Sequence, residues 1–175
     1  VLMTTKILKL CKKFNYKTVI VPTTPDVTWL NPYKITKQAV ERLVQLFNHE
    51  YDLNAVCLKL GNIYGARERW LQAKLNAPYN YQKIIPSFIM DTLAGEKITI
   101  YGDGEQRSEY IFVQDVVESF VRAINHNEKF STEVIHIGRG QSQSVKDIIE
   151  ALEKAWNRKL EKNYVAMRPG EHKIK

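Results

Sequence analysis

The hydrophobic residues of this chain follow two spacings, one typical of helices and one typical of strands. Apolar positions recur every three or four residues over 4–14 and again after Pro32, where the pattern lasts for about four turns. Short apolar runs stand between such segments and predict buried strands. These runs are "TVIV" at 18–21, "NAVCLKL" at 54–60, "KITIY" at 97–101, "EYIFV" at 109–113 and "EVIHIG" at 133–138.

Two helices carry clear signals at their first residues. Asn31 suits the N-cap of the helix that follows it, and Pro32 suits its first position, where a missing N–H costs nothing. Ser144 and Asp147 resemble a capping box, in which each side chain bonds the other's backbone amide. We therefore expect a helix to start at 32 and another to run from 145 to 156.

Other boundary residues complete the predicted order of elements. Pro22 is expected to end the first strand, Pro86 to open a helix that Gly95 ends, and Asp115 to cap a helix through 125. Strands and helices then alternate along most of the chain. This alternation predicts an α/β architecture with a largely parallel sheet.

Composition narrows the class of protein. The 175 residues are 44% hydrophobic and 26% charged, which fits one domain, or one domain and part of another. No apolar run is long enough for a membrane span, and the net charge of +7 is scattered, so we expect neither a membrane nor a nucleic-acid partner.

The four histidines lack metal-ligand spacing, so no metal site is expected. Cys11 and Cys57 lie in apolar stretches, which favours buried free thiols and a cytoplasmic location.

Tyr33 and Lys37 are the candidate catalytic pair. Residues four apart share one face of a helix, and an ammonium beside a phenol favours the phenolate and lowers its pKa from about 10. Thr23 and Thr24 follow the strand "TVIV", and either hydroxyl could complete a proton relay. The spacing alone also fits an ordinary amphipathic helix with surface charge, so it does not decide between the two interpretations.

Several motifs in order along the chain decide between the catalytic pair and the ordinary helix. They are "VIVPTT", "NPYKITKQAVE", "LKLGNIYGARER", "IIPSFIMDTLAGEKITIYGDGEQRSEYIFVQDVV", "EVIHIGRGQSQSV" and "RPGE". Together they resemble the extended short-chain dehydrogenase/reductase family, in its branch of NAD-dependent sugar-nucleotide epimerases and dehydratases. The resemblance implies an enzyme similar to UDP-glucose 4-epimerases, with NAD or NADP as cofactor.

The resemblance also implies roles for single residues. Tyr33 matches the catalytic acid/base and Lys37 the lysine that assists it, and both, with Ile63, match cofactor contacts. Thr24 matches the hydroxyl that bonds the sugar, with Thr23 as the alternative if the register differs by one.

Substrate contacts come from three further residues. Asn62 and Arg168 match groups that bind the nucleotide diphosphate, and Arg107 lies next to another. Arg107 stands one position before the family's usual arginine, whose place is taken by Ser108.

The fold implied is the C-terminal part of a Rossmann-type doubly wound parallel sheet plus a smaller α/β substrate-binding domain. We expect residues 1–62 to complete the NAD-binding domain and 63–175 to bind mainly substrate, with about 110–138 returning to the Rossmann sheet. The glycine-rich dinucleotide motif is absent from the chain, which suggests part of a longer product. The nucleotide-sugar enzyme is expected to be a homodimer.

Alternatives remain within and outside the family. Dehydratases usually carry an acidic pair after the threonine, but this chain has Pro25 and Asp26, and a proline cannot act as a general acid. Epimerisation is therefore favoured over dehydration, with reduction and decarboxylation as further alternatives. A non-catalytic remnant that acts as a binding module is the alternative of another class.

Overall fold

The computed structural model describes residues 1–25, 31–68, 83–126, 128–130 and 134–167. Its helices are α1 (Leu2–Lys13), α2 (Pro32–Tyr51), α3 (Ile84–Leu93), α4 (Val113–Asn125) and α5 (Val145–Trp156). Its strands are β1 (Val19–Thr23), β2 (Ala55–Leu60), β3 (Asn62–Tyr64), β4 (Ile98–Tyr101), β5 (Arg107–Phe112), β6 (Val134–Ile137), β7 (Ser142–Ser144) and β8 (Lys162–Val165). The mixed α/β class predicted from the sequence is confirmed.

The chain divides into two compact units. The first unit contains Val1–Ile63 and Ile111–Arg139, and the second contains Tyr64–Tyr110 and Gly140–Lys175. The chain passes from one unit to the other after Ile63, after Tyr110 and after Arg139. Each unit has its own hydrophobic core.

The first unit is a parallel sheet with helices on both faces. Its strand order is β1-β2-β6, and Val19 pairs with Ala55 while Cys57 pairs with Val134. One face packs against α1 and α2 through Leu8, Val44 and Phe47, and the other packs against α4 through Phe120 and Ala123. Helices on both faces of a parallel sheet are the doubly wound arrangement.

The first strand extends beyond Pro22, contrary to the sequence-based expectation. Val19 donates its N–H to the carbonyl of Asn54 on the β2 side, at 2.9 Å. The backbone N–H and C=O groups of successive residues point to alternate sides of a strand. Those of Val21 and Thr23 therefore also point to β2, whereas the backbone of Pro22 points away from it. The missing N–H of Pro22 therefore costs the ladder nothing, and the strand continues to Thr23.

The second unit combines short strands with α3 and α5. β4 and β8 form a parallel pair, and β5 pairs antiparallel with β7, with Arg107 opposite Ser144. The strand order β3-β5-β7 describes the second three-stranded sheet. The core of this unit consists of Phe88, Ile98, Ile100, Val145, Ile148, Ile149 and Leu160. The sequence analysis missed β3, β7 and β8, because strands of three or four partly exposed residues carry little hydrophobic pattern.

The helix starts were predicted correctly in two cases and wrongly in two. Asn31 caps α2, and Ser144 with Asp147 forms the predicted capping box of α5. Asp115 does not cap α4, because that helix starts at Val113 after Phe112 and the acid lies in its first turn. α3 likewise begins at Ile84, so its proline lies at the third position, where its absent N–H is still among the unpaired donors of the first turn.

Candidate active site

The end of β1 and the start of α2 form the candidate active site. Asn31 has an extended backbone, and its side-chain oxygen accepts a hydrogen bond from the backbone N–H of Lys34 at 2.9 Å. Pro32 then supplies a helical φ at the first position. The cap fixes where the helix begins, and so it fixes where the next side chains project.

Tyr33 and Lys37 lie together on the first turns of α2. The Lys37 ammonium is 5.7 Å from the centroid of the Tyr33 ring, within the range of a cation–π contact. The same ammonium donates a hydrogen bond to the carbonyl oxygen of Pro22 in β1, at 3.4 Å. Tyr33 is 59% exposed, so its ring is open to a ligand and is not part of the core.

Two threonine hydroxyls stand at the end of β1 and differ in environment. Thr24 is half-buried and lies just beyond the strand. Thr23 is 5% exposed, and its hydroxyl oxygen finds no hydrogen-bond partner in the described parts of the chain. The structure therefore brings a phenol, an ammonium and a strand end with two hydroxyls into one region of the first unit.

Contacts along α2 hold this region against β2. The Lys59 ammonium forms an ion pair with the Glu41 carboxylate at 3.1 Å, and their side chains are only 7% and 12% exposed. Asn48 donates to the carbonyl of Ala55 at 2.8 Å and accepts from its N–H at 2.9 Å. Both contacts join the helix to the strand beside β1, so they orient the face that carries Tyr33.

The sequence analysis did not identify the ion pair between Lys59 and Glu41. One signal was present, because Tyr33, Lys37 and Glu41 are spaced four apart and share one helix face. Nothing in the sequence indicated that Lys59, on another element, would meet that face. The buried Lys34, next to the tyrosine, was missed as well.

The residues expected to contact substrate have different surroundings. Asn62 is exposed and Ile63 half-buried, and both lie on β3 directly after β2. Arg107, on β5 of the second unit, donates to the Ser142 carbonyl at 2.6 Å and to its hydroxyl at 3.2 Å. Its guanidinium is also 3.5 Å from the Asp147 carboxylate.

The remaining site expectations concern Arg168, cysteine and metal. Arg168 lies outside the described residues. Cys57 is buried, whereas Cys11 is only half-buried, and burial raises the pKa of the Cys11 thiol.

In the described ranges no cluster of His, Cys, Asp or Glu side chains could hold a metal ion. The described helices also include none that is long and apolar enough to cross a membrane.

Comparison with known proteins identifies the family. The model of the NAD-dependent epimerase/dehydratase family matches residues 1–138, which include both β1 and α2. This chain belongs to that family. The resemblance inferred from the motifs is therefore confirmed, and so is the Rossmann-type fold that it implied.

Individual family members show what the chain resembles. It is 34% identical over 104 residues to UDP-glucose 4-epimerase of Mycolicibacterium smegmatis, a match that covers 58% of this chain and 31% of that protein. It is 29% identical over 123 residues to dTDP-glucose 4,6-dehydratase of Xanthomonas campestris, covering 70% of this chain and 31% of the other. UDP-glucuronic acid 4-epimerase of Bacillus cereus, solved with UDP-glucuronic acid and NAD, superposes with a TM-score of 0.81.

The extent of these matches limits what they establish. The Bacillus structure is 25% identical, and the match covers 99% of this chain but 56% of that one. The chain thus spans about a third to about half of the length of these relatives. Epimerases and dehydratases both occur among them, so family membership leaves the reaction open.

Proposed function

We propose that the protein epimerises a nucleotide-diphosphate sugar through a keto intermediate, in the manner of UDP-glucose 4-epimerase. The observation that carries this proposal is the contact of Tyr33 and Lys37 at the end of β1. A solvent-accessible phenol beside an ammonium is suited to take a proton from a sugar hydroxyl and later to return it. Membership of the family supports the assignment of the sugar nucleotide as substrate class.

The side chains at the end of β1 fit the nicotinamide ribose of NAD. A ribose presents hydroxyl oxygens, and the Lys37 ammonium has protons to donate besides the one bonded to Pro22. Tyr33 is exposed on the same helix face, and Ile63 lies on the strand that follows β2. In this proposal Tyr33, Lys37 and Ile63 would hold the cofactor, whose nicotinamide would supply reversible hydride transfer at the sugar carbon when bound.

The residues of this chain supply binding and proton transfer. Tyr33 takes the proton from the sugar hydroxyl and later returns it, and the Lys37 ammonium lies beside the Tyr33 ring, where it can stabilise negative charge during the transfer. Thr24 orients the same hydroxyl by a hydrogen bond. Asn62 keeps the role that the family resemblance implies, contact with the phosphate end of the substrate. Arg107 and Arg168 likewise keep their implied role in binding the diphosphate, which a guanidinium suits.

The domain division proposed from the sequence follows the same logic. Residues 1–62 would bind NAD with the catalytic helix, and 63–175 would bind mainly the nucleotide sugar, apart from about 110–138. The first unit supports this division, since its helices flank a parallel sheet on both faces. We further propose that the protein works in the cytoplasm, where its free cysteines would stay reduced.

A homodimer is part of the proposal, and the exposed face of α1 supports it. Met3, Ile7, Leu10 and Phe14 are exposed, and they recur at alternating steps of four and three residues. This is the spacing of a helical seam that packs against another helix. A second copy of the chain could present the same seam, as a two-fold interface requires.

Product analysis with the intact gene product tests the reaction. We would incubate it with NAD and UDP-, GDP- or dTDP-sugars, and we expect a product of unchanged mass and altered configuration. A product that has lost one water would instead indicate a dehydratase. A gene product that neither binds NAD nor converts any of these sugars would support the binding-module alternative.

Removal of one hydroxyl tests the role of Tyr33. Tyr33→Phe should lower kcat by about 10²- to 10⁴-fold, because the proton acceptor is lost, while substrate affinity and the melting temperature change little. Tyr16→Phe, which removes an exposed phenol outside this region, is the matched control and should keep full activity. Full turnover by Tyr33→Phe would refute the assignment.

A further inference from the structure

We propose that Thr23 is a positioning residue of this site, whose buried hydroxyl holds the Lys37 ammonium at the end of β1. The inference rests on the proposed function and adds a second hydroxyl to it. Thr24 bonds the sugar, and Thr23 acts through the lysine. The two adjacent threonines therefore have separate tasks.

Packing does not explain the hydroxyl of Thr23. The residue is 5% exposed, and its oxygen has no partner among the described residues. A buried hydroxyl without a hydrogen bond destabilises the folded state, because it has lost its bonds to water. Valine has nearly the same shape and would fill the site without that penalty. The hydroxyl therefore calls for a functional explanation.

The direction of the side chain follows from the alternation along β1. Val19 and Val21 pack in the core formed with Leu8, Val44 and Phe47 of α1 and α2. Successive side chains of a strand point to opposite faces, so Thr23 lies on the same face as these valines. Its hydroxyl is thus on the side of the sheet that α2 covers.

The Lys37 ammonium needs what this hydroxyl offers. An ammonium has three protons to donate, but Lys37 has one hydrogen-bond acceptor in the described part of the chain, the Pro22 carbonyl at 3.4 Å. This distance is long for a hydrogen bond. Thr23 is the residue next to Pro22, and its oxygen lacks a donor. In the proposed arrangement the Lys37 ammonium donates a second hydrogen bond to this oxygen, which keeps the charge beside Tyr33.

A set of four threonine substitutions tests the proposal. Thr23→Val removes the hydroxyl and keeps the volume, whereas Thr23→Ser keeps the hydroxyl and loses the methyl group. Thr24→Val removes the hydroxyl assigned to the sugar. Thr92→Val is the matched control, because Thr92 is also buried but lies on α3, and its hydroxyl is bonded to the carbonyl of Phe88.

We expect Thr23→Val to lower kcat by about 10- to 100-fold while KM stays within about twofold, since a misplaced charge slows the reaction more than it weakens binding. Its melting temperature without ligand should change little, because the variant loses the hydrogen bond to the ammonium but also removes a buried polar group. Thr23→Ser should restore kcat, and Thr92→Val should leave it unchanged.

Two outcomes would overturn the proposal. Wild-type kcat in Thr23→Val would show that the hydroxyl does not assist the lysine. A lower melting temperature in the same variant, with kcat unchanged, would show that the hydroxyl is a structural bond. Tyr33→Phe separates these failures from failure of the function itself. If Tyr33→Phe is inactive and Thr23→Val is fully active, only the role of Thr23 is lost, whereas an active Tyr33→Phe removes the proposed function.

Discussion

The position of the Lys37 ammonium depends on whether the Glu41 carboxylate competes for it. Tyr33, Lys37 and Glu41 follow one another at intervals of four residues, so the lysine lies between a phenol and a carboxylate on the same helix face. An ion pair between Lys37 and Glu41 would draw the ammonium away from the phenol. Glu41 is instead paired with Lys59 of β2, and Lys37 bonds the end of β1.

This arrangement predicts two effects of Lys59→Met. The variant removes the partner of the nearly buried Glu41 carboxylate, so we expect the free energy of unfolding to fall, by up to about 3–5 kcal/mol if Lys37 does not take the place of Lys59. We also expect kcat to fall, because Glu41 can then attract Lys37. Urea unfolding and steady-state kinetics measure the two effects.

The double variant Lys59→Met/Glu41→Leu is the control for that experiment. It removes both charges, so stability should recover most of the loss. An equal loss in the single and the double variant would mean that Lys59 stabilises the fold through other contacts, and that the ion pair has no special importance for the site.

The sequence predicted the candidate site only as far as local spacing reaches. The pair Tyr33 and Lys37 could be found because both lie on one helix, and the N-cap at Asn31 follows from residue type. Lys59, the ion-pair partner of Glu41, could not be found in this way, because no local spacing relates a strand residue to a helix face. The different environments of Thr23 and Thr24 also depend on strand register, which adjacent identical residues do not reveal.

At the scale of the elements, helices and apolar strands could be predicted from the sequence, whereas short strands with few apolar residues could not. α1, α2, α4 and α5 were predicted to within a few residues, because each repeats its apolar spacing over three turns or more. The strands β3, β7 and β8 have three or four residues each and were missed. Pro22 misled the prediction because its missing N–H lies on the side of β1 that points away from β2, so the pairing of these two strands does not need it.

One element junction depends on a single acid. The Glu153 carboxylate of α5 accepts hydrogen bonds from the Lys159 and Lys162 ammonium groups at 2.8 and 2.5 Å, and from the Leu160 backbone at 3.0 Å. These bonds lower the pKa of Glu153 from 4.5 to about 2. They join the end of α5 to the start of β8.

The lowered pKa predicts how the stability of this junction depends on pH. A carboxyl whose pKa is lower in the folded state contributes stability above the unfolded pKa of 4.5 and loses it as the pH falls towards 2. Glu153→Gln should therefore lower the melting temperature at neutral pH, and the difference from the wild type should shrink between these two values.

Thermal unfolding across that pH range checks the prediction. Glu150→Gln is the matched control, since Glu150 is an exposed acid on the same helix and should shift the melting temperature little at any pH. A Glu153→Gln variant that is as stable as the wild type at neutral pH would show that the three hydrogen bonds add nothing to the junction.

At the scale of the whole molecule, the distribution of apolar residues on α1 suggests how copies of the chain associate. Leu8 is buried against α2 and the sheet, whereas Met3, Ile7, Leu10 and Phe14 face outward. The helix is thus apolar on its inner face and also on part of its outer face. Its flanking lysines, Lys6, Lys9, Lys12 and Lys13, keep the rest of that surface polar. Such a seam is costly in water unless another surface covers it.

The proposed homodimer makes Leu10→Lys the decisive substitution at this scale. Leu10 lies in the middle of the seam and is 51% exposed, so a lysine there is tolerated in the monomer but places two ammonium groups in a two-fold interface. Light scattering should show the wild type at twice the mass of one chain and the variant at the mass of one chain. Leu93→Lys, on the exposed end of α3, should leave the mass unchanged. If Leu10→Lys keeps the mass of the wild type, or if the wild type is itself a monomer, α1 does not form the interface between copies.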